Sequence, residues 1–531
     1  MTAPHRALTL PSPRGKVRVA MRRSSLAILV IAVLATIARA QDGSPDARPD
    51  FLASPPALPA AYDERTAWRL ELAEALQIAM QHNLGIAISR KTLDATRLGV
   101  EAATADLYEP RLGASASHTA TGAPGTASSR ADGTLSVTQR LPTGASLSLG
   151  LSASRGSPPS SDASGPGTRG AGVTFSVTQP LLRGFSRDLE IPRAQILTAQ
   201  IGSQEARRKL EIDAARLVQQ TETAYWAVVA ALYSYGVQLK AHKLAEDTVT
   251  LTRRQIEAGM AAGSELTGAE STVAQSRLGV LQQEAAVEDA WDGLRTVLGL
   301  PRDQWQRPIL PIDMPRLAPA EPPSEDQALE AALRNRPEIA LLRLEREASD
   351  LARRVAANDR LPQIDLQVSG SLSGQADSYG ALTDPALPSR GFGAMLNLSW
   401  TPLGRANRVK TEIARIQREV EVASTDQRIQ DIWNEIRAAI RRQRHAALQV
   451  SFAWQSLALA NKYLEVENRK YLEGNSSNLA IAQLQAKLAD AEQQALRALL
   501  DNETTRSALL LATGQLLDHR HVRFETAVSP R

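Results

Sequence analysis

The chain has 531 residues, of which 43% are hydrophobic and only 4% aromatic, and it contains no cysteine. This length allows two to four domains, and the lack of cysteine excludes disulfide bonds, cysteine-ligated metals and a lipid-modified N-terminal cysteine. Seven of the 61 basic residues, and no acidic one, lie in residues 1–40. The remainder carries 54 basic against 57 acidic residues, which gives no support to nucleic-acid binding.

The N-terminus predicts a secretory signal in residues 1–40. A basic stretch ending in Arg23 precedes the apolar run LAILVIAVLATI, and the small residues of ARA favour cleavage after Ala40. The second methionine, Met21, begins a more ordinary signal, so the true start codon stays open. A short membrane anchor is the alternative interpretation.

Two Pro-rich stretches, residues 41–66 and 310–323, are predicted linkers around an internal duplication. Residues of the first copy align with the second at one constant offset, as Asp106 does with Asp359, and a repeated sequence predicts a repeated architecture. The predicted first repeat covers 67–309, with strands at about 111–180 and a helical hairpin at about 187–300. The predicted second repeat covers 324–517, with strands at about 363–401 and a hairpin at about 404–513. A polar tail follows at 518–531.

The predicted strands have one apolar face and one face of small polar residues. In ASLSLGLSA, Leu147, Leu149 and Leu151 alternate with serine and glycine. This pattern suits a membrane β-barrel, with leucine toward lipid and serine toward water, better than a soluble sandwich. Because a barrel needs at least about eight strands, several copies of the chain must contribute to one barrel.

The predicted hairpins are unusually long. Their apolar residues recur at alternating spacings of three and four, which is a heptad seam. About 70 residues per rod give a length of roughly 100 Å. The rods follow the strand-to-helix prolines Pro180 and Pro402 and turn at Gly259 and Gly474, where positive φ costs glycine little. Such hairpins bury their seams only against neighbours, which favours a closed helical cylinder.

No motif in the sequence supports catalysis. GPGTRG, residues 165–170, has dinucleotide-binding spacing but lies in a Ser/Pro/Gly loop before a strand, where no helix N-terminus can hold a pyrophosphate. The pair His519 and His521 has no carboxylate at ligand spacing and is predicted to lie loosely at the surface. We therefore predict no enzyme activity, no cofactor and no metal.

Several motifs resemble those of the TolC-like outer-membrane efflux protein family, also called outer membrane factors. They are ALEAALRNRPEI (328–339), ALQIAMQHNLGI (75–86), VTQPLLRGF (177–185), GNSSNLAIAQLQ (474–485) and the pair TVLG and LATG. The resemblance covers about residues 70–517. It implies a mainly α fold with a transmembrane β-barrel: a homotrimer whose twelve-stranded barrel, four strands per chain, stands on a twelve-helix periplasmic tunnel. The first repeat shows four alternating stretches where the resemblance implies two. The sequence leaves open whether the added pair lies outside the membrane or is part of longer strands, so four strands per chain is a minimum.

The resemblance also implies a function. The protein is expected to be the passive exit duct of a tripartite efflux or type I secretion system in a Gram-negative outer membrane, with a periplasmic adaptor, an inner-membrane pump and lipid as partners. Glu265, Asn475 and Asn478 are candidates for the periplasmic constriction, and ordinary turn capping is the alternative role for each. A periplasmic adaptor and a structural coiled-coil or adhesin-like surface protein are the alternative functions. The sequence does not identify the cargo or the gating.

Overall fold

The computed structural model describes residues 57–122, 128–157, 168–259, 262–316, 321–376, 389–401, 404–473 and 475–522. All of them belong to the compact unit Pro56–Arg531. The predicted signal, residues 41–56 of the first linker, Pro402 and Gly474 lie outside the described residues.

Helices dominate the fold, and their order repeats. Each half has a short helix, a helix of intermediate length, a set of strands, a very long helix and a long return helix. The helices are α1 (Leu72–His82), α2 (Leu84–Tyr108), α3 (Ala194–Glu257), α4 (Gly263–Leu298), α5 (Glu325–Asn335), α6 (Pro337–Asn358), α7 (Arg405–Leu472), α8 (Asn478–Ala512) and α9 (Leu516–His519).

The strands of the described residues form two sheets. They are β1 (Trp68–Leu70), β2 (Arg111–Thr121), β3 (Ser128–Arg140), β4 (Ser146–Ser157), β5 (Thr168–Pro180), β6 (Ile309–Pro311), β7 (Gln363–Ala376) and β8 (Ser389–Ser399). β1 and β6 pair in parallel, so the predicted 310–323 linker begins within a strand. The other six form one antiparallel sheet in the order β2-β3-β4-β5-β7-β8. All four alternating stretches of the first repeat therefore belong to one sheet, together with two strands of the second repeat.

The helices α3 and α7 have 64 and 68 residues, which gives rods of roughly 100 Å. α3 packs along α4 and α8, and α7 packs along α8. Gln443 on α7 is buried but satisfied, because its amide donates to Asn502 Oδ1 at 2.9 Å and its carbonyl accepts from the Thr505 hydroxyl at 2.8 Å. Among the described residues, no helix has the length and hydrophobicity needed to cross a membrane.

The first rod begins later than predicted. β5 ends at Pro180, but α3 starts only at Ala194. Turns fill residues 181–193, where Asn358 Oδ1 accepts a 2.7 Å hydrogen bond from the Gly184 backbone and Leu189 has φ +60°. Pro180 therefore ends the strand, and the turns of residues 181–193 separate it from the helix.

Two equivalent glycines explain why the motifs TVLG and LATG recur. Gly299 and Gly514 have φ of +68° and +71°, and each follows a long return helix. A Cβ on Gly299 would lie 2.6 Å from the His82 carbonyl oxygen, and one on Gly514 would lie 2.8 Å from the Arg336 nitrogen. Each glycine thus lets a return helix end directly against the junction of the two shorter helices in its own repeat.

Candidate functional site

One face of the six-stranded sheet is apolar on every strand. The register places one row across the sheet, consisting of Leu112, Val137, Leu149, Phe175, Gly370 and Phe392. The row beside it contains Leu135, Leu151, Val173 and Leu372. We call the surface made by these rows and by Leu147, Val177, Val368, Leu366, Leu396 and Leu398 the apolar face.

The apolar face is exposed. Leu149 and Phe175 in the middle of the sheet keep 44% and 46% of their surface accessible, and Phe392 on the last strand keeps 84%. A continuous apolar surface of this extent marks a site covered by lipid or by another protein. Leu147, Leu149 and Leu151 all lie on it, on the side of β4 opposite Ser148 and Ser152.

The opposite face carries small polar residues. Its central row is Gly113, Ser136, Gly150, Thr174, Ser371 and Gly391, and we call this side the small-residue face. A Cβ on Gly150 would lie 2.7 Å from Thr174 Oγ1, so glycine leaves room for the hydroxyl opposite it. No side chain in this row is charged or long, which suits a surface that borders open water.

The two hairpin turns form the other end of the rods. Gly259 has φ +72°, as the turn prediction requires. Glu265 is exposed in the first turn of α4, and Asn475 is exposed with its backbone N–H donating to the Lys470 carbonyl at 2.8 Å. Asn478 is the first residue of α8, and its side chain lies outside the described residues. The helix cap of α8 is Ser477, whose Oγ accepts from the Ala480 backbone at 3.2 Å.

Sequence reasoning missed two polar links near these turns. The Gln255 amide on α3 donates a hydrogen bond to the Tyr471 hydroxyl on α7, which joins the two hairpins of one chain. In the second turn, the Ser476 hydroxyl donates to Glu467 Oε1 at 2.6 Å, and Lys470 contacts the other carboxylate oxygen at 3.2 Å. The Ser476 hydrogen bond, with help from Lys470, lowers the pKa of Glu467 and keeps it ionised. The Gln255–Tyr471 link joins residues 216 positions apart, which a spacing pattern does not reveal.

Comparison with known proteins identifies the family. The sequence profile of the outer membrane efflux protein family matches residues 139–300 and 328–515, more than half of the chain. The chain belongs to the outer membrane efflux protein family. The predicted family resemblance and the predicted outer-membrane localisation are therefore confirmed.

Two relatives of this family member come from Pseudomonas putida. They are the probable efflux pump outer membrane protein TtgC and the antibiotic efflux pump outer membrane protein ArpC, each 26% identical over 329 residues. The match covers 60% of this chain and 64% of each relative, so the chain spans a little under two thirds of their length.

Solved structures share the fold. The Campylobacter jejuni CmeC outer membrane channel superposes with a TM-score of 0.63 at 13% identity, over 84% of this chain and 86% of that one. The predicted fold class, mainly helical with a sheet portion and similar to the TolC-like channels, is confirmed by this likeness.

Proposed function

We propose that three copies of this chain form an outer-membrane exit duct, a passive conduit from the periplasm to the exterior in a tripartite efflux or type I secretion system. The observation that carries the proposal is the combination of an exposed apolar face across one sheet with two helical rods of roughly 100 Å. The sheet suits a bilayer, and the rods are long enough to reach deep into the periplasm.

The two faces of the sheet support passive transport. Lipid covers the apolar face, while the small-residue face borders a water-filled lumen. That lumen offers hydroxyl and backbone groups along its central row. The register places charged side chains of the same face nearer the strand ends, namely Arg111, Arg140, Asp365, Arg130 and Asp132. The choice of cargo and the supply of energy belong to an inner-membrane pump, which reaches the hairpin turns through a periplasmic adaptor.

The surfaces of the rods support assembly from several copies of the chain. Exposed apolar residues continue along the rods, including Leu278 and Leu281 on α4 and Leu448, Phe452 and Leu459 on α7. Within one chain these rows are uncovered, and a second copy beside the first covers them as the seams of a bundle are covered. Three copies bring twelve long helices around one axis, which agrees with the family resemblance.

Single-channel recording tests this function. The chain without residues 1–40 is purified in detergent, its trimer fraction is separated by size, and each fraction is added to a planar bilayer. We expect conductance steps of uniform size from the trimer fraction alone. The test is repeated with Tyr471→Phe, which removes the hydrogen bond from Gln255 near the hairpin turns. A folded trimer that shows no conductance in either form would instead favour a structural coiled-coil protein.

A further inference from the structure

The six-stranded sheet has two open edges. Among the residues that the structure describes, β2 has a strand neighbour only in β3, and β8 only in β7. Both edge strands have 11 residues, and every residue of both is exposed. Within a bilayer, each unpaired backbone N–H or C=O costs several kcal/mol because no water can bind it. The two edges therefore need partners if the sheet lies in the membrane.

The sheet cannot satisfy its edges by closing on itself. Six strands are fewer than the roughly eight that the smallest membrane barrels have. The strands alternate in direction along the order β2-β3-β4-β5-β7-β8, so β2 and β8 run antiparallel. A second copy placed beside the first thus offers its β2 to β8 in the antiparallel sense that the rest of the sheet uses.

We propose that β8 of one copy pairs with β2 of the next copy, and that all six strands of each chain enter one barrel. With the trimer proposed above, on which this number rests, the barrel has eighteen strands and not twelve. The register supports the inclusion of every strand, because at least 11 consecutive residue pairs join each neighbouring pair. The apolar row also reaches all six strands, from Leu112 on β2 to Phe392 on β8.

The width of such a barrel fits the helices beneath it. With a strand spacing of about 4.8 Å and a tilt of about 40°, twelve strands give a backbone radius of about 12 Å and eighteen give about 18 Å. Twelve helices at an interaxial distance of about 9 Å form a ring with a radius of about 17 Å. Eighteen strands therefore continue the helical tunnel at nearly constant width.

The tilt also predicts which residues meet at the seam between copies. Across six strands, a tilt of about 40° shifts the register by roughly seven residues. The shift must be an even number of residues, because an odd shift would join the apolar face of one copy to the small-residue face of the next. The shift can run toward either end of the strands. In one direction β2 and β8 overlap along most of their length, and in the other direction they do not overlap. In the overlapped arrangement, Ser115 of one copy lies beside Met395 or Asn397 of the next. All three belong to the small-residue face.

Disulfide cross-linking tests the seam, and the cysteine-free sequence makes every engineered pair unambiguous. The full-length chain is expressed with Ser115→Cys combined in turn with Gly393→Cys, Met395→Cys or Asn397→Cys, oxidised in outer-membrane preparations and run on denaturing gels without reductant. Disulfides need Cβ atoms about 3.8 Å apart. We expect covalent dimers and trimers that peak with Met395→Cys or Asn397→Cys and disappear on reduction.

The matched control is Ser115→Cys with Leu396→Cys, because Leu396 lies between the two expected partners but on the apolar face. It should remain monomeric on the gel. A second pair, Ser148→Cys on β4 with Asn397→Cys, reports the alternative in which β2 and β3 lie outside the barrel. Cross-linking of that pair, or the absence of any β2–β8 cross-link in a trimer verified by native mass measurement, would overturn the eighteen-stranded barrel while leaving the proposed channel intact. Absence of the trimer itself would overturn both.

Discussion

A buried carboxylate in the first rod depends on a residue near the C-terminus. Glu222 on α3 is fully buried, and its Oε1 lies 2.5 Å from Arg520 Nε, while no described residue bonds its Oε2. Removing the partner of a buried charge costs about 3–5 kcal/mol, because the charge stays in place without compensation. We therefore expect Arg520→Ala to lower the thermal stability of the purified protein strongly, as measured by circular dichroism.

The double variant Glu222→Ala with Arg520→Ala separates this effect from loss of packing. It removes both charges, so its melting temperature should lie above that of Arg520→Ala alone. If the double variant were less stable than the single one, the ion pair would not be the cause. Arg520 directly follows α9 and lies within the predicted polar tail. Its ion pair with Glu222 therefore joins the beginning of this tail to α3.

The residues that sequence could identify are those whose role is set by local pattern. Leu149 and Ser148 were assigned to opposite faces by alternation alone, and the register agrees. Gly259 was assigned to a turn because a long heptad seam stops there, and its φ is positive. Glu222 and the Gln255–Tyr471 link could not be found this way, because the partners are far apart in sequence and meet only through the packing of the rods.

At the scale of a strand, the two faces of β4 should respond differently to charge. Leu149 lies on the apolar face and Ser148 on the small-residue face. A carboxylate on a lipid-facing position costs about 1–2 kcal/mol per chain, whereas a water-lined position tolerates it. We expect Leu149→Asp to reduce the amount of folded protein in outer-membrane fractions and Ser148→Asp to leave it near the unchanged level. Equal losses from the two would contradict lipid contact on one side only.

At the scale of the hairpins, the Gln255–Tyr471 hydrogen bond should hold the two turns of one chain together. Tyr471→Phe keeps the ring and removes the acceptor, and loss of one hydrogen bond of about 1 kcal/mol changes an equilibrium about fivefold. We expect the fraction of open channels in bilayer recordings to rise by that order. Tyr463→Phe is the control on the same helix, since Tyr463 is exposed, and it should behave as the unchanged protein.

The elements themselves followed from the sequence to different degrees. Heptad spacing predicted both rods to within a few residues except at the start of α3, where residues 181–193 are held by Asn358 from the other repeat. Alternation found all four strands of the first repeat, but it could not decide whether they share one sheet, because pairing between strands is a long-range property. The continuous register across β2 to β5 supplies that answer.

In the proposed trimer, three copies of Glu265 surround one axis at the hairpin turns, and we expect this ring to set ion preference. Glu265 is exposed and forms no ion pair with any described residue, whereas Glu270 in the same helix is neutralised by Arg253 at 3.0 Å. An uncompensated acidic ring in a narrow passage concentrates cations, so Glu265→Gln should lower the cation-to-anion permeability ratio roughly twofold at low salt. The effect should fade at 1 M salt, where charges are screened within about 3 Å. Reversal potentials in a salt gradient measure the ratio, with Glu270→Gln as the matched control. If both variants shift the potential equally, Glu265 lies away from the ion path and its role is to cap the first turn of α4.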